Sequence, residues 1–130
     1  MWKVKLVRFA YILSQWLFWP GVVLIAWGEL VPHPPQVDGL FLWDKAQHFT
    51  AYFGLASMTT MALGPSRRLI WAFLGVILFG AALEILQGYT GRDPEISDFI
   101  ANSFGACIGL AAGLLFLWRL DFLVAIRGTD

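Results

Sequence analysis

Residues 69–89 read LIWAFLGVILFGAALEILQGY, an apolar stretch interrupted by one charge, Glu84, and one amide, Gln87, both near its end. A run of about 20 apolar residues is what an α-helix needs to cross a hydrocarbon core of ~30 Å, at a rise of about 1.5 Å per residue. Similar stretches lie at about 9–30, 46–63 and 96–118, so the pattern repeats along the chain. The 130 residues are 58% apolar and 14% charged, whereas a soluble domain carries about 25% charged residues. The solvent for most of this surface is therefore lipid. The expected fold is all-α: a bundle of four transmembrane helices forming one domain over residues 1–130.

The connections are short. They are a Pro-rich segment from Val31 to Trp43, a tight turn through Gly64, Pro65, Ser66, Arg67 and Arg68, and a loop through Gly91, Arg92, Asp93 and Pro94. Lys3, Lys5, Arg8, Arg67, Arg68, Arg119 and Arg127 fall on one side of this topology and only Lys45 and Arg92 on the other. The positive-inside rule then places both termini in the cytoplasm. The basic start of the first stretch imitates a secretory signal. Its apolar run exceeds a signal core of about 7 to 15 residues, and Trp27, Gly28, Glu29 and Leu30 stand where a small-x-small cleavage site would be, so it reads as a retained anchor. Trp43, Trp71 and Trp118 suit the membrane interface. Cys107, the single cysteine, lies among Gly105, Ala106, Ile108 and Gly109 and reads as a small packing residue. Formal charge is balanced, and nothing points to nucleic acid.

Acidic residues show the opposite bias. Glu29, Asp38, Asp44, Glu84, Asp93, Glu95 and Asp98 belong to the outer half, against Asp121 and Asp130 inside. On the second span Asp44, His48 and Tyr52 recur every four residues and form one stripe of a helix with 3.6 residues per turn. Glu84 and Gln87 come in the last turns of the third span, with Glu84 roughly 8 Å below its end. Asp98 and Asn102 open the fourth. Three helix ends thus converge on one polar layer. An ionised side chain at bilayer depth costs several kcal/mol, from about 2.5 upward, unless paired or hydrated, so Glu84 needs a partner. Below Asn102, Gly105, Gly109 and Gly113 keep one face of the fourth helix small, a seam for close packing against the second and third.

Plainer readings stand beside this one. Asp44 with Gln47, and Ser97 or Asp98, suit helix starts. His48 alone suits a core histidine bonded to a carbonyl. His33 reads as a solvated loop residue, and Glu29 as an interfacial side chain snorkelling at the end of the first span. The whole layer would also serve as a static polar clasp between helices. Imidazole and carboxylate from His48, Glu84 and Asp98 suit zinc or manganese, but there is no His-x-x-x-His pair or cysteine ligand, so no metal or other cofactor is expected. No Gly-x-Ser-x-Gly accompanies Ser97, which argues against a serine hydrolase. Because the polar residues stop near mid-membrane, a transport pathway is disfavoured.

Taken in order, Asp44-Lys45-x-x-His48-Phe49-x-x-Tyr52, Glu84-x-x-Gln87 with Arg92, and Ser97-Asp98-x-x-x-Asn102-x-x-Gly105 resemble the pattern of the VanZ-like family. The likeness runs from about Asp44 to Gly113, and the first span carries no matching motif. It implies a small bacterial membrane protein related to one associated with resistance to teicoplanin, which acts outside the cytoplasmic membrane. The resemblance supplies no biochemical activity. The residues themselves favour an outward-facing pocket that engages an envelope lipid or lipid-linked headgroup. In it His48, Glu84 and Asp98 would act as acid and base, and Asp44, Lys45, Tyr52, Gln87, Arg92 and Asn102 would bind, with Lys45 and Arg92 on phosphate. A binding or accessory role without bond cleavage is the alternative. Oligomeric state is left open.

Overall fold

The computed structural model describes residues 1–32 and 41–127, and the side chains of residues 1–32 and 43–121. His33, Asp38 and most of the Pro-rich segment lie outside the described residues, as does the side chain of Arg127. Four helices follow in order: α1 (Trp2–Leu30), α2 (Phe41–Leu63), α3 (Arg67–Gln87) and α4 (Ile96–Arg127). Among the described residues α1, α3 and the Ile96–Asp121 part of α4 are long and apolar enough to cross a membrane. The fold is a helical membrane bundle.

The helix least suited to lipid is α2. With 23 residues, about 34 Å at helical rise, it is long enough to span, but it carries Asp44, Lys45, His48, Ser57, Thr59 and Thr60. It tolerates them because it contacts all three other helices. Residues 51–62 are all buried or half-buried. Thr59 and Thr60 return their hydroxyls to the carbonyls of Leu55 and Ala56, each at 2.8 Å, which satisfies polar groups that would otherwise be orphaned in a dry core. By contrast α1 lies on the outside, with Trp16, Trp19, Val23, Leu24 and Trp27 exposed, and it continues unbroken through Pro20. Both α1 and α4 extend beyond the expected spans.

The α2–α4 contact is the tightest in the bundle. A Cβ added to Gly105 would run into the carbonyl of Phe49, one on Gly109 into that of Phe53, and one on Gly113 to 2.7 Å from the Cβ of Thr60. The glycines thus let two backbones meet, as small residues do where lipid supplies no hydrophobic drive for association. Ser57 Oγ uses the proximity to donate to the Gly109 carbonyl at 3.2 Å. On α3, Gly80 makes room for the Tyr52 ring, whose Cε1 lies 3.0 Å from where a Cβ would be. Tyr52, Leu55, Ala56, Val76 and Ala106 form the core around these contacts. Cys107 does not join the seam. It faces outward with Phe104 and Ile108, because it is two residues on from Gly105, about 200° around the helix.

The turns follow their residues. Gly64 takes a positive φ of 61° and its N–H closes α2 on the Thr60 carbonyl at 2.8 Å. Ser66 caps α3, accepting from the Leu69 N–H at 3.4 Å. Gly91, with φ 80°, turns the chain between α3 and α4 while the N–H groups of Thr90 and Arg92 return to the Gln87 carbonyl.

Candidate functional site, a polar layer where four helix ends meet

The C-terminal ends of α1 and α3 and the N-terminal ends of α2 and α4 share one end of the bundle, joined there by bonds from Gln87 to Glu29 and from His48 to Asn102. Three of these ends are legible as a polar layer in the sequence. The fourth, that of α1, brings Glu29 into it. The snorkelling role expected of Glu29 is overturned: the residue is 7% exposed, and its Oε1 lies 3.5 Å from Nδ1 of His48. The sequence signal was its membership of the acidic outer cluster. Its placement at a span terminus disguised it, since a lone acid there ordinarily reaches for water.

His48 is the centre. Its Nδ1 is 3.0 Å from Oδ1 of Asn102 and its Nε2 is 3.6 Å from Oδ2 of Asp98. Helical spacing on α2 puts Lys45 almost one turn above it. There Lys45 Nζ pairs with Oδ1 of Asp98, with Oε2 of Glu95 at 2.8 Å and with Oδ2 of Asp44 at 3.6 Å. Asp98 is 3% exposed, so this cation is what makes burial of its carboxylate tolerable. Glu95, outside the membrane-spanning helices, has its carboxyl held below the usual range by the Lys45 ammonium and by the Ser97 hydroxyl, which donates to it at 2.9 Å.

Glu84 is 6% exposed, and its Oε2 accepts from the Glu95 N–H at 3.3 Å. Gln87, 1% exposed, donates to the Glu29 carbonyl at 3.1 Å. Arg92 sends Nη1 to the same carbonyl at 2.8 Å and to that of Gly28 at 3.3 Å. Both therefore tie down the end of α1, where the last carbonyls of a helix lack partners of their own. The structure thus brings Asp44, Lys45, His48, Glu84, Asp98 and Asn102 together with Tyr52 beneath, and turns Gln87 and Arg92 toward α1.

Several buried atoms here have no hydrogen bond. They are Oε1 of Glu84 and Nδ2 of Asn102, joined elsewhere among the described residues by Oγ of Ser103, while Glu29 is held only by its 3.5 Å contact with His48 and faces the Tyr52 hydroxyl. Two sets have one ligand atom per residue gathered within 4.8 Å: Glu29, His48 and Glu84, and Asp44, His48 and Asp98.

Helices this apolar around a shared polar layer define a multi-pass membrane protein with its candidate chemistry at one end of the bundle. The chain belongs to the VanZ/LLP1 family, whose description matches residues 3–119. It is also similar, at 24% identity over 97% of its length, to the pheromone-regulated membrane protein 10 of Eremothecium gossypii. The chain spans 18% of the length of that protein. No solved structure matches.

Proposed function

We propose that the layer around His48 engages the headgroup of an envelope lipid or lipid-linked molecule. The observation that carries this reading is the pair of unsatisfied buried atoms on Glu84 and Asn102, beside a Glu29 carboxylate held only by its long contact with His48. A static clasp would saturate its own polar groups, because each buried orphan costs about 1–3 kcal/mol. Groups left open in one layer instead suit a ligand that completes them.

The layer sits at the helix ends, where a headgroup lies, and its rim is open: the side chains of Asp44 and Glu95 are 44% and 48% exposed. Lys45, the rim cation, pairs with Asp44, Glu95 and Asp98, so a phosphate reaches it by displacing the Asp44 and Glu95 side chains, with Arg92 behind it positioning α1. His48 stands between Asp98 and Glu29, an arrangement in which one carboxylate orients the imidazole while the other nitrogen accepts or releases a proton. Charge placement orients this face outward, with both termini cytoplasmic. In a bacterial envelope, glycopeptide resistance is one phenotype that binding or altering an outer-leaflet target produces.

The test is the lipid bound to purified protein. Native mass spectrometry of the wild type should show a defined lipid, lost from His48→Ala and Glu84→Gln while both variants stay folded. A changed lipid mass after incubation with membrane extract, absent with Glu84→Gln, marks an enzyme. Selective binding without product marks the accessory reading. Equal lipid retention by all three proteins refutes the headgroup site.

A further inference from the structure

The geometry points to a divalent transition-metal site held by Glu29, His48 and Glu84, with Oδ1 of Asn102 beside it as a fourth donor. This inference rests on the same layer being functional, but it concerns an ion instead of a lipid, and its test reads zinc.

Three observations converge. First, one ligand atom from each of Glu29, His48 and Glu84 lies within 4.8 Å of the others. Second, Glu29 and Glu84 are 7% and 6% exposed, yet Oε1 of Glu84 has no hydrogen bond and Glu29 is held only by its 3.5 Å contact with His48 and the facing Tyr52 hydroxyl. Third, Nδ1 of His48 is 3.5 Å from Oε1 of Glu29 and 3.0 Å from Oδ1 of Asn102. Bonds of about 2.0–2.1 Å to a tetrahedral ion separate neighbouring ligand atoms by about 3.3–3.4 Å. Glu29 and Asn102 therefore already stand near that separation from His48, and Glu84 lies within reach of the same point by a small side-chain shift.

The surroundings suit such an ion. A metal-bound imidazole commonly gives its other nitrogen to a carboxylate, and Nε2 of His48 faces Oδ2 of Asp98 at 3.6 Å, with Asp98 itself fixed by Lys45. Two carboxylates, a neutral imidazole and a divalent cation sum to zero charge, which suits a dry layer. One nitrogen with oxygen donors favours zinc or manganese over softer ions. The other set, Asp44, His48 and Asp98, is the poorer site, because the Lys45 ammonium already pairs with both aspartates.

The experiment uses the full chain, purified in detergent, stripped with chelator and titrated with zinc. Expected are one zinc per chain after gel filtration and an X-ray absorption spectrum with a single imidazole and oxygen donors near 2.0 Å. Glu29→Gln and Glu84→Gln should each weaken zinc binding at least ten-fold, and Asp44→Asn should change it by less than three-fold. Substoichiometric zinc, a spectrum without imidazole, or wild-type affinity in Glu29→Gln overturns the site. So does loss of zinc from Asp44→Asn alone. Should Glu29→Gln not fold, the wild-type spectrum and stoichiometry decide. Lipid retained by stripped protein that takes up no zinc would overturn the metal site and leave the headgroup reading standing.

Discussion

Replacing Tyr52 by Phe separates the two kinds of role that the polar layer can have. Tyr52 is fully buried, its ring packs against Gly80 and Phe79, and its hydroxyl faces the Glu29 carboxylate without a well-formed hydrogen bond. Deleting the oxygen keeps the ring and opens a space of about 10 Å³, worth about 0.2 kcal/mol at the usual cost of cavity volume. Against this, an unsatisfied buried hydroxyl costs about 1–3 kcal/mol, which its removal returns. The unfolded chain in a micelle also finds some partners for the hydroxyl, which shrinks the gain. The expected result is a stability change between zero and about 2 kcal/mol in favour of the variant. Equilibrium unfolding in mixed micelles of increasing dodecyl sulfate content measures it, and native mass spectrometry of the same samples should show weakened lipid retention. Destabilisation of about 1 kcal/mol or more, the worth of an ordinary hydrogen bond, would mean that the hydroxyl serves the fold and is not held open for a ligand.

Gly109→Ala should destabilise by about 2 kcal/mol, because overpacking against the Phe53 backbone outweighs the helix propensity gained. Gly75→Ala, with open space around it, should be neutral or stabilise by up to about 1 kcal/mol in the same unfolding assay. Lys45→Met strips the buried Asp98 of its cation and should cost about 3 kcal/mol, partly recovered in Lys45→Met combined with Asp98→Asn. The depressed Glu95 carboxyl favours its ionised form when folded. Its contribution is complete above the ordinary glutamate value of about 4.3 and is lost as pH falls through the lower folded value. Thermal stability from pH 7 to pH 3 should therefore fall less in Glu95→Gln than in the wild type.

Hydropathy makes α1, α3 and α4 legible, because each turns a broad surface to lipid and composition must answer to that solvent. The central helix is harder. Its neighbours, not lipid, cover Thr59, Thr60 and His48, so its sequence looks least like a span while its position is the most enclosed. Spacing of four residues brought Asp44, His48 and Tyr52 onto one stripe, and depth matched them to Glu84 and Asn102. What spacing within single helices does not encode is how far α1 leans onto α3. Glu29 and Arg92 meet through that packing, and it is there that Arg92 holds a helix end. The outward turn of Cys107 follows from helical phase and was obscured by its small neighbours.

The glycine seam has a repeat of four residues on α4, matched by Phe49 and Phe53 on α2. A comb whose teeth are all alike fits itself again after sliding by one tooth. Shifted by a single helical turn along this parallel pair, Gly105 would simply meet Phe53. The same slip would set His48 opposite Asp98 and take it from Asn102, and would draw Lys45 out of reach of Asp98. The polar layer thus distinguishes the observed alignment from its one-turn neighbour, because only the former pairs Lys45 with Asp98 and His48 with Asn102.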